Sequence, residues 1–257
     1  MRKTIQTAGR KAARKPDEAA SVGSRAGLDR DRLVNAAIDL LQEKGLDALS
    51  TRQLAERLGV KSPALYWHIR DKSELLGLVA DAICARMALP ASNRSFRERL
   101  EDIAWEYRRV LVAHRDAPRL FAELAPTGAH RMKLYDAAVG AFLDAGFAPP
   151  EAIAMATFYR NYLLGMVAEE ARQSWSTHSN ALRPTVVLGS ELARLGDESS
   201  DYPNLRGAAE LLAKIEPEAL FRIGLKVLLD GMECRKAEFA QPGKAKRAGG
   251  KRPGAKR

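Results

Sequence analysis

Residues 50–72 read Ser-Thr-Arg-Gln-Leu-Ala-Glu-Arg-Leu-Gly-Val-Lys-Ser-Pro-Ala-Leu-Tyr-Trp-His-Ile-Arg-Asp-Lys. Ser50 followed by Gln53 has the spacing of a capping box and opens a short helix through about Leu58, which Gly59 ends. After the turn Gly59-Val60-Lys61, Ser62 stands as a cap before Pro63 at the first helical position, and the helix it opens runs to about His68. Leu54, Ala55, Leu58, Val60 and Leu65 supply the apolar contacts that hold such a pair together. This is the pattern of a helix-turn-helix, whose first helix braces a second that enters the major groove of DNA by its N-terminal residues. Thr51, Ser62 and Tyr66 can donate to phosphates, Arg52 can reach a base edge, and Lys61 and Lys72 are placed for the DNA backbone. Residues 52–72 carry five cations, Arg52, Arg57, Lys61, Arg70 and Lys72, against Glu56 and Asp71, whereas 29–76 balances eight cations with eight acids. Positive charge is concentrated where DNA would lie.

The flanking sequence is helical too. Leu33, Val34, Ala37, Ile38 and Leu41 recur at helical spacing up to Gly45, a left-handed C-cap position. Asp71 with Glu74 forms a further capping box, for a helix through about Met87. Beyond Pro90, helical patterns occupy roughly 95–113, 116–124, 129–145, 150–175, 204–214 and 217–239. Residues 176–203 read as a long loop with a short helix near Val186–Leu195. Sustained alternation with β-branched enrichment is absent, so the expected fold class is all-α, with a three-helix unit at 29–75 joined through the fourth helix to a larger helical body at 76–240. No internal repeat of a solenoid kind is present.

The chain has 257 residues, 46% of them hydrophobic and 29% charged, which is a globular composition with length for a real core. No apolar run approaches the roughly 20 residues of a membrane span, and no secretory signal is visible, so the expected location is the cytoplasm. Residues 1–28 hold seven cations against Asp17 and Glu18, and 241–257 hold seven cations and no acid, so the net charge of +10 belongs to the ends and 29–240 is left near −2. Both ends are rich in Ala, Gly and Pro, and are expected to be disordered basic arms able to lie along nucleic-acid phosphates. Cys84 and Cys234 lack the number and spacing of a disulfide framework or zinc site and read as reduced, partly buried thiols. His114, His130 and His178 are scattered without carboxylates at ligand spacing, and Glu169-Glu170 reads as a solvated helix end. No nucleophile–base pattern, glycine-rich phosphate loop or metal-spaced cluster appears, so an enzyme, a metal and a cofactor are not expected.

On these residues the chain resembles the tetracycline-repressor (TetR) family, most closely in Leu65-Tyr66-Trp67-His68. The likeness extends through His114-Arg115-Asp116, Gly146-Phe147, Leu164-Gly165, Phe221-Arg222-Ile223-Gly224-Leu225 and Gly231-Met232-Glu233, over roughly 29–239. The resemblance implies a homodimer that reads a palindromic operator in double-stranded DNA and is released by a small-molecule inducer held in the body at 76–240. Carried over by position, the DNA contacts fall on Thr51, Arg52, Ser62, Pro63, Ala64, Tyr66, Trp67, His68 and Lys72, with Lys61 beside them. Where the family's namesake has a Gln and a Thr, this chain has Ser62 and Ala64, so an amide contact to adenine is lost and a methyl contact to thymine becomes available. The namesake's inducer pocket uses polar contacts and a magnesium-ligating His. At the aligned positions stand Ala88, Ile103, Phe121 and Ala138, with only the aromatic Tyr107 kept. A metal–tetracycline chelate would face apolar walls, each unpaired group costing about 1–3 kcal/mol, so a different, more apolar ligand is expected. Aromatic and thioether groups including Phe158, Tyr162 and Met166 can line such a cavity, and Ile153, Thr157 and Leu164 with Ile223, Val227 and Leu228 can pair two subunits through a four-helix bundle. The competing reading is a nucleic-acid architectural protein binding mainly through its basic arms.

Overall fold

The computed structural model describes residues 28–175, 184–195, 202–205 and 207–239. The basic arm through residue 27, the tail from 241 on, His178 and most of the 176–203 segment lie outside the described residues. Among the described residues there are eleven helices and no strand.

The N-terminal unit is built by local capping. Asp29 accepts from the Arg32 N–H at 2.7 Å and opens α1 (Arg30–Lys44), which buries Leu33, Val34, Ala37, Ile38 and Leu41 on one stripe. Gly45 closes α1 at φ 82° and ψ 174°, which is not the left-handed helical conformation but one open essentially to glycine alone. Ser50 Oγ accepts from the Gln53 N–H at 3.2 Å and starts α2 (Thr51–Leu58), but Gln53 Oε1 is buried without a partner, so the expected box is only half formed. Gly59, left-handed at φ 67°, turns the chain into α3 (Ser62–Leu65). The cap position of α3 is Lys61 rather than Ser62 and makes no side-chain bond; Ser62 opens the helix itself, and Pro63 follows where its missing N–H costs nothing. The helix ends earlier than the sequence implies and continues as turns, with the His68 N–H donating to the Leu65 carbonyl at 2.9 Å. Asp71 caps α4 (Lys72–Cys84) through the Glu74 N–H at 2.8 Å, while the Glu74 carboxylate takes the N–H and Nε of Arg70 and an Arg30 nitrogen instead of closing a box. From Cys84 to Met87 the helix tightens into i→i+3 turns.

The body begins at α5 (Phe96–Ala113), opened by a complete capping box of Ser95 and Glu98. It continues through α6 (Ala117–Glu123), α7 (Ala129–Asp144), α8 (Pro149–Ser174), α9 (Pro184–Leu195), α10 (Ala209–Lys214) and α11 (Pro217–Phe239). The expected helix at 204–214 starts only at Ala209; before it the N–H of Leu205 donates to the Tyr202 carbonyl and that of Ala208 to the Leu205 carbonyl, closing turns instead. Helix α8 packs on α5, α6 and α7, α11 lies on α5, and α9 and α10 pack on each other. Phe96, Phe142 and Phe147 meet at centroid distances of 5.3 to 6.2 Å in the core. Glu170 is not at a solvated helix end: it grips Arg108 bidentately at 2.7 and 2.8 Å and ties α8 to α5. Both cysteines are free; Cys84 is buried, and Cys234 is exposed rather than partly buried. Among the described residues no helix is long and apolar enough to cross a membrane.

Among the contacts that tie the N-terminal unit and its linking helix α4 to the rest of the body, two fix the geometry of a turn or a helix end. At the α5–α6 corner, Asp116 sits at φ 54° and accepts the Leu46 N–H at 2.8 Å, while Arg115 donates its N–H to Gln42 Oε1 at 2.6 Å and its guanidinium to the Glu43 carbonyl at 2.9 Å. A Cβ at Gly45 would stand 2.8 Å from Asp116 Oδ2, so this docking needs glycine there for space as well as for φ. The second contact is a cap supplied from another helix. Asp81 of α4 accepts the N–H groups of His130 and Arg131 at 2.8 and 2.9 Å, satisfying the first turn of α7, whose own cap position Gly128 offers no side chain. Asp81 also meets His130 Nδ1 at 3.0 Å, a carboxylate neighbour that the sequence spacing does not reveal.

Candidate nucleic-acid interface and ligand cavity

The pair α2 and α3 is held from inside and left free outside. Leu54, Ala55 and Leu65 are buried, and Leu58 and Val60 are partly buried against the same core. The ten residues proposed for DNA contact all retain surface: Arg52, Lys61, Pro63, Tyr66, Trp67 and Lys72 are exposed, and Thr51, Ser62, Ala64 and His68 are half-buried. Trp67 is 86% exposed, an unusual position for a large apolar ring with no partner to cover. The five local cations divide. Arg57 is bound to Glu43 at 2.6 and 2.7 Å and Arg70 to Glu74, which holds both carboxylates below their ordinary range. Arg52, Lys61 and Lys72 are exposed and have no ion pair among the described residues, and Tyr66 and Trp67 each leave more than half of their surface free. The arrangement can therefore offer three uncommitted cations and two aromatic faces to a phosphate backbone.

Inside the body a cavity of about 40 Å³, room for a few waters, lies among α4, α5, α6, α7 and α8. Of the residues expected to line a ligand pocket, Ile103, Tyr107, Phe121 and Ala138 do so. Ala88, Tyr162 and Met166 do not. Ala88 is exposed beyond the end of α4, its N–H donating to Glu106 at 2.9 Å. Tyr162 faces α11, where a Cβ on Gly224 would lie 2.1 Å from its hydroxyl, and Met166 packs against the core. Sequence reasoning missed Cys84, Arg131, Leu134 and Arg160. Burial pushes the Cys84 thiol up to about 12, with Asp81 adding to it, so this sulfur is inert. A wider groove of about 540 Å³ between α6 and α8 opens past Trp175 and holds no buried unpaired polar group among the described residues.

Comparison with known proteins places this geometry. Residues 33–79 match the model of bacterial regulatory proteins of the tetR family, and 89–235 match that of the tetracyclin repressor-like C-terminal domain. The chain belongs to the TetR family. It is 36% identical over 212 residues to the tetracycline repressor protein class A from transposon 1721 of Escherichia coli, covering 81% of this chain and 92% of that one. The crystal structure of ActR from Streptomyces coelicolor in complex with actinorhodin superposes with a TM-score of 0.70 at 25% identity, covering 82% of this chain and 97% of that one. TetR from Acinetobacter baumannii AYE superposes with a TM-score of 0.59 at 29% identity, covering 82% and 99%.

In this TetR-family subunit α8 and α11 present apolar side chains to solvent. Ile153 and Phe158 on α8 and Leu220, Ile223 and Val227 on α11 are exposed, Ile223 by 63% and Val227 by 67%. Thr157 is exposed beside them, bonded through its hydroxyl to Tyr135 at 2.7 Å, and Leu228 is half-buried. Leu164, expected on the same face, is buried within the subunit, and Phe158, expected toward the cavity, turns outward.

Proposed function

We propose that the chain is a ligand-responsive transcriptional repressor of the TetR type, acting as a homodimer on a palindromic operator. The observation that carries this reading is that the helix pair and the start of α4 leave Tyr66, Trp67, Arg52, Lys61 and Lys72 exposed, the three cations without an ion pair among the described residues, while Arg57 and Arg70 are already paired. Thr51, Arg52, Lys61, Ser62, Pro63, Ala64, Tyr66, Trp67, His68 and Lys72 form the reading surface, with Ala64 offering a methyl contact to thymine. The apolar stripe of α8 and α11 supports pairing of two subunits across a two-fold axis, which sets the two reading surfaces about one helical turn apart. The cavity lined by Ile103, Tyr107, Phe121 and Ala138 supports an inducer site. Its apolar walls do not suit a metal–tetracycline chelate. ActR, on which the chain superposes, is solved in complex with actinorhodin, which supports an inducer other than tetracycline here.

Selection of bound sequences from a random duplex library tests the reading, using the full chain and the chain trimmed to residues 28–240 at near-physiological salt. The expected result is one two-fold palindrome from both, with only affinity lost on trimming. Absence of a motif, with binding abolished by trimming, overturns it in favour of sequence-independent binding through basic arms.

A further inference from the structure

Besides apolar side chains, the cavity is lined by the Tyr107 hydroxyl and the guanidinium groups of Arg131 and Arg160, while the other hydroxyls in its wall, those of Tyr135 and Tyr159, are already bonded to Thr157 and to the Leu100 carbonyl. Tyr107 is 4% exposed and its hydroxyl has no hydrogen-bond partner. Arg131, also 4% exposed, and the half-buried Arg160 line the same space. Arg131 gives its guanidinium N–H groups to the carbonyls of Ala125, Leu124 and Phe121 at 2.9, 2.9 and 3.4 Å, and stands 4.8 Å from the centre of the Phe121 ring. Arg160 donates to the same Phe121 carbonyl at 3.3 Å. Neither guanidinium has a carboxylate in ion-pair contact among the described residues, and no Asp or Glu lines the cavity. Capping the end of α6 occupies both arginines in part, and Arg160 also donates to Asn161 Oδ1 at 3.0 Å, but no carboxylate answers either charge among the described residues and the Tyr107 hydroxyl is left without a partner. Two guanidinium groups sharing one carbonyl in a partly dry site repel each other, and an anion between them reverses the sign of that energy. Burial pushes the Tyr107 hydroxyl up, keeping it a donor at neutral pH.

We propose that the ligand is an amphipathic carboxylate, with a polycyclic or acyl body against Ile103, Leu134 and Ala138 and a carboxylate head bonded by Arg131, Arg160 and the Tyr107 hydroxyl. The assignment rests on reading this cavity as the inducer site. The test is calorimetric titration of the full chain with two matched pairs, dodecanoate against dodecanamide and anthraquinone-2-carboxylate against its primary amide. At least one acid should bind at least tenfold tighter than its amide, and the responding pair tells an acyl body from a fused-ring one. Arg160→Gln should cut that preference below threefold without changing amide affinity, and Tyr107→Phe should weaken the acid alone. Amides binding as tightly as acids, with both blocked by Ala138→Phe, overturn the anionic head and leave the inducer site standing. A preference that survives Arg160→Gln overturns the assignment as well. Binding by none of the four overturns the head and the inducer site together.

Discussion

Trp67 and His114 show how differently two ring side chains can serve one chain. Trp67 covers nothing inside the subunit, so Trp67→Ala should leave thermal stability within about 0.5 kcal/mol of wild type. The same change should weaken binding to the selected operator by at least tenfold in fluorescence anisotropy. A large drop in melting temperature would instead make Trp67 a packing residue. His114 is buried, with Nδ1 bonded to the Val110 carbonyl at 2.7 Å and Nε2 to Arg86 at 2.7 Å, an arrangement satisfied by a neutral ring that donates to the carbonyl and accepts from the arginine. Burial first, and then the Arg86 charge, hold its pKa below the ordinary 6.5. Above pH 6.5 the ring is neutral in both the folded and the unfolded chain. Below that value the unfolded chain takes up a proton that the folded one resists, so stability falls with pH until the folded ring titrates too. Calorimetric melting between pH 7.5 and 5.5 should therefore fall more steeply for wild type than for His114→Asn, which keeps a donor toward Val110 and cannot titrate. Equal slopes would assign the acid sensitivity elsewhere.

At the scale of helices, the sequence carries most of the fold because the signals are local. The N-caps Ser50 and Asp71 and the glycines at 45 and 59 act within four residues of what they fix, and all stand at helix ends. What was illegible depends on partners far along the chain. Nothing near Gly128 shows that Asp81 caps α7, and Glu74 could serve its own helix as readily as Arg70 and Arg30. Spacing alone also fails to separate the two apolar faces of α8, which is why Leu164 is buried against the expected exposure and Phe158 is exposed against the expected burial. The exposed stripe yields a direct test. Ile223→Glu or Val227→Glu places a charge where the subunit has no other use for an apolar group. Sedimentation velocity should find folded monomers with operator affinity reduced at least a hundredfold. Leu164→Ala should behave oppositely, remaining dimeric at micromolar concentration while losing about 2–4 kcal/mol of stability through a core cavity. Unchanged dimers in the charged variants would remove α8 and α11 from the interface.

For the whole molecule the question is how a ligand in the body reaches the reading surface. Arg131 and Arg160 were hidden in the sequence, since a cation on an otherwise apolar helix usually marks solvent, and only the tertiary fold turns both toward one cavity. That cavity touches α4 at Cys84, and its α7 wall is tied to α4 at Asp81. Helix α4 in turn begins at Lys72, one of the residues of the reading surface, so one helix runs from the cavity to the DNA face. The Asp116–Leu46 contact fixes the other side of the N-terminal unit, at the end of α1. A cavity of about 40 Å³ must open to admit an apolar body of drug size, and opening moves α7 against α4. A ligand that favours the opened form weakens operator binding by its differential affinity for the two forms, ordinarily about 1–3 kcal/mol of coupling. Asp81→Ala removes the tie at a residue that neither lines the cavity nor belongs to the reading surface, at a cost of about 1 kcal/mol in stability for the lost cap. Its ligand and operator affinities, each measured alone, should stay within about threefold of wild type. The ligand-induced loss of operator affinity should nevertheless shrink at least fivefold in a competition titration with both present. Full induction in Asp81→Ala would show that the signal travels through the Asp116 corner instead, and the same titration on Asp116→Ala then decides between the two routes.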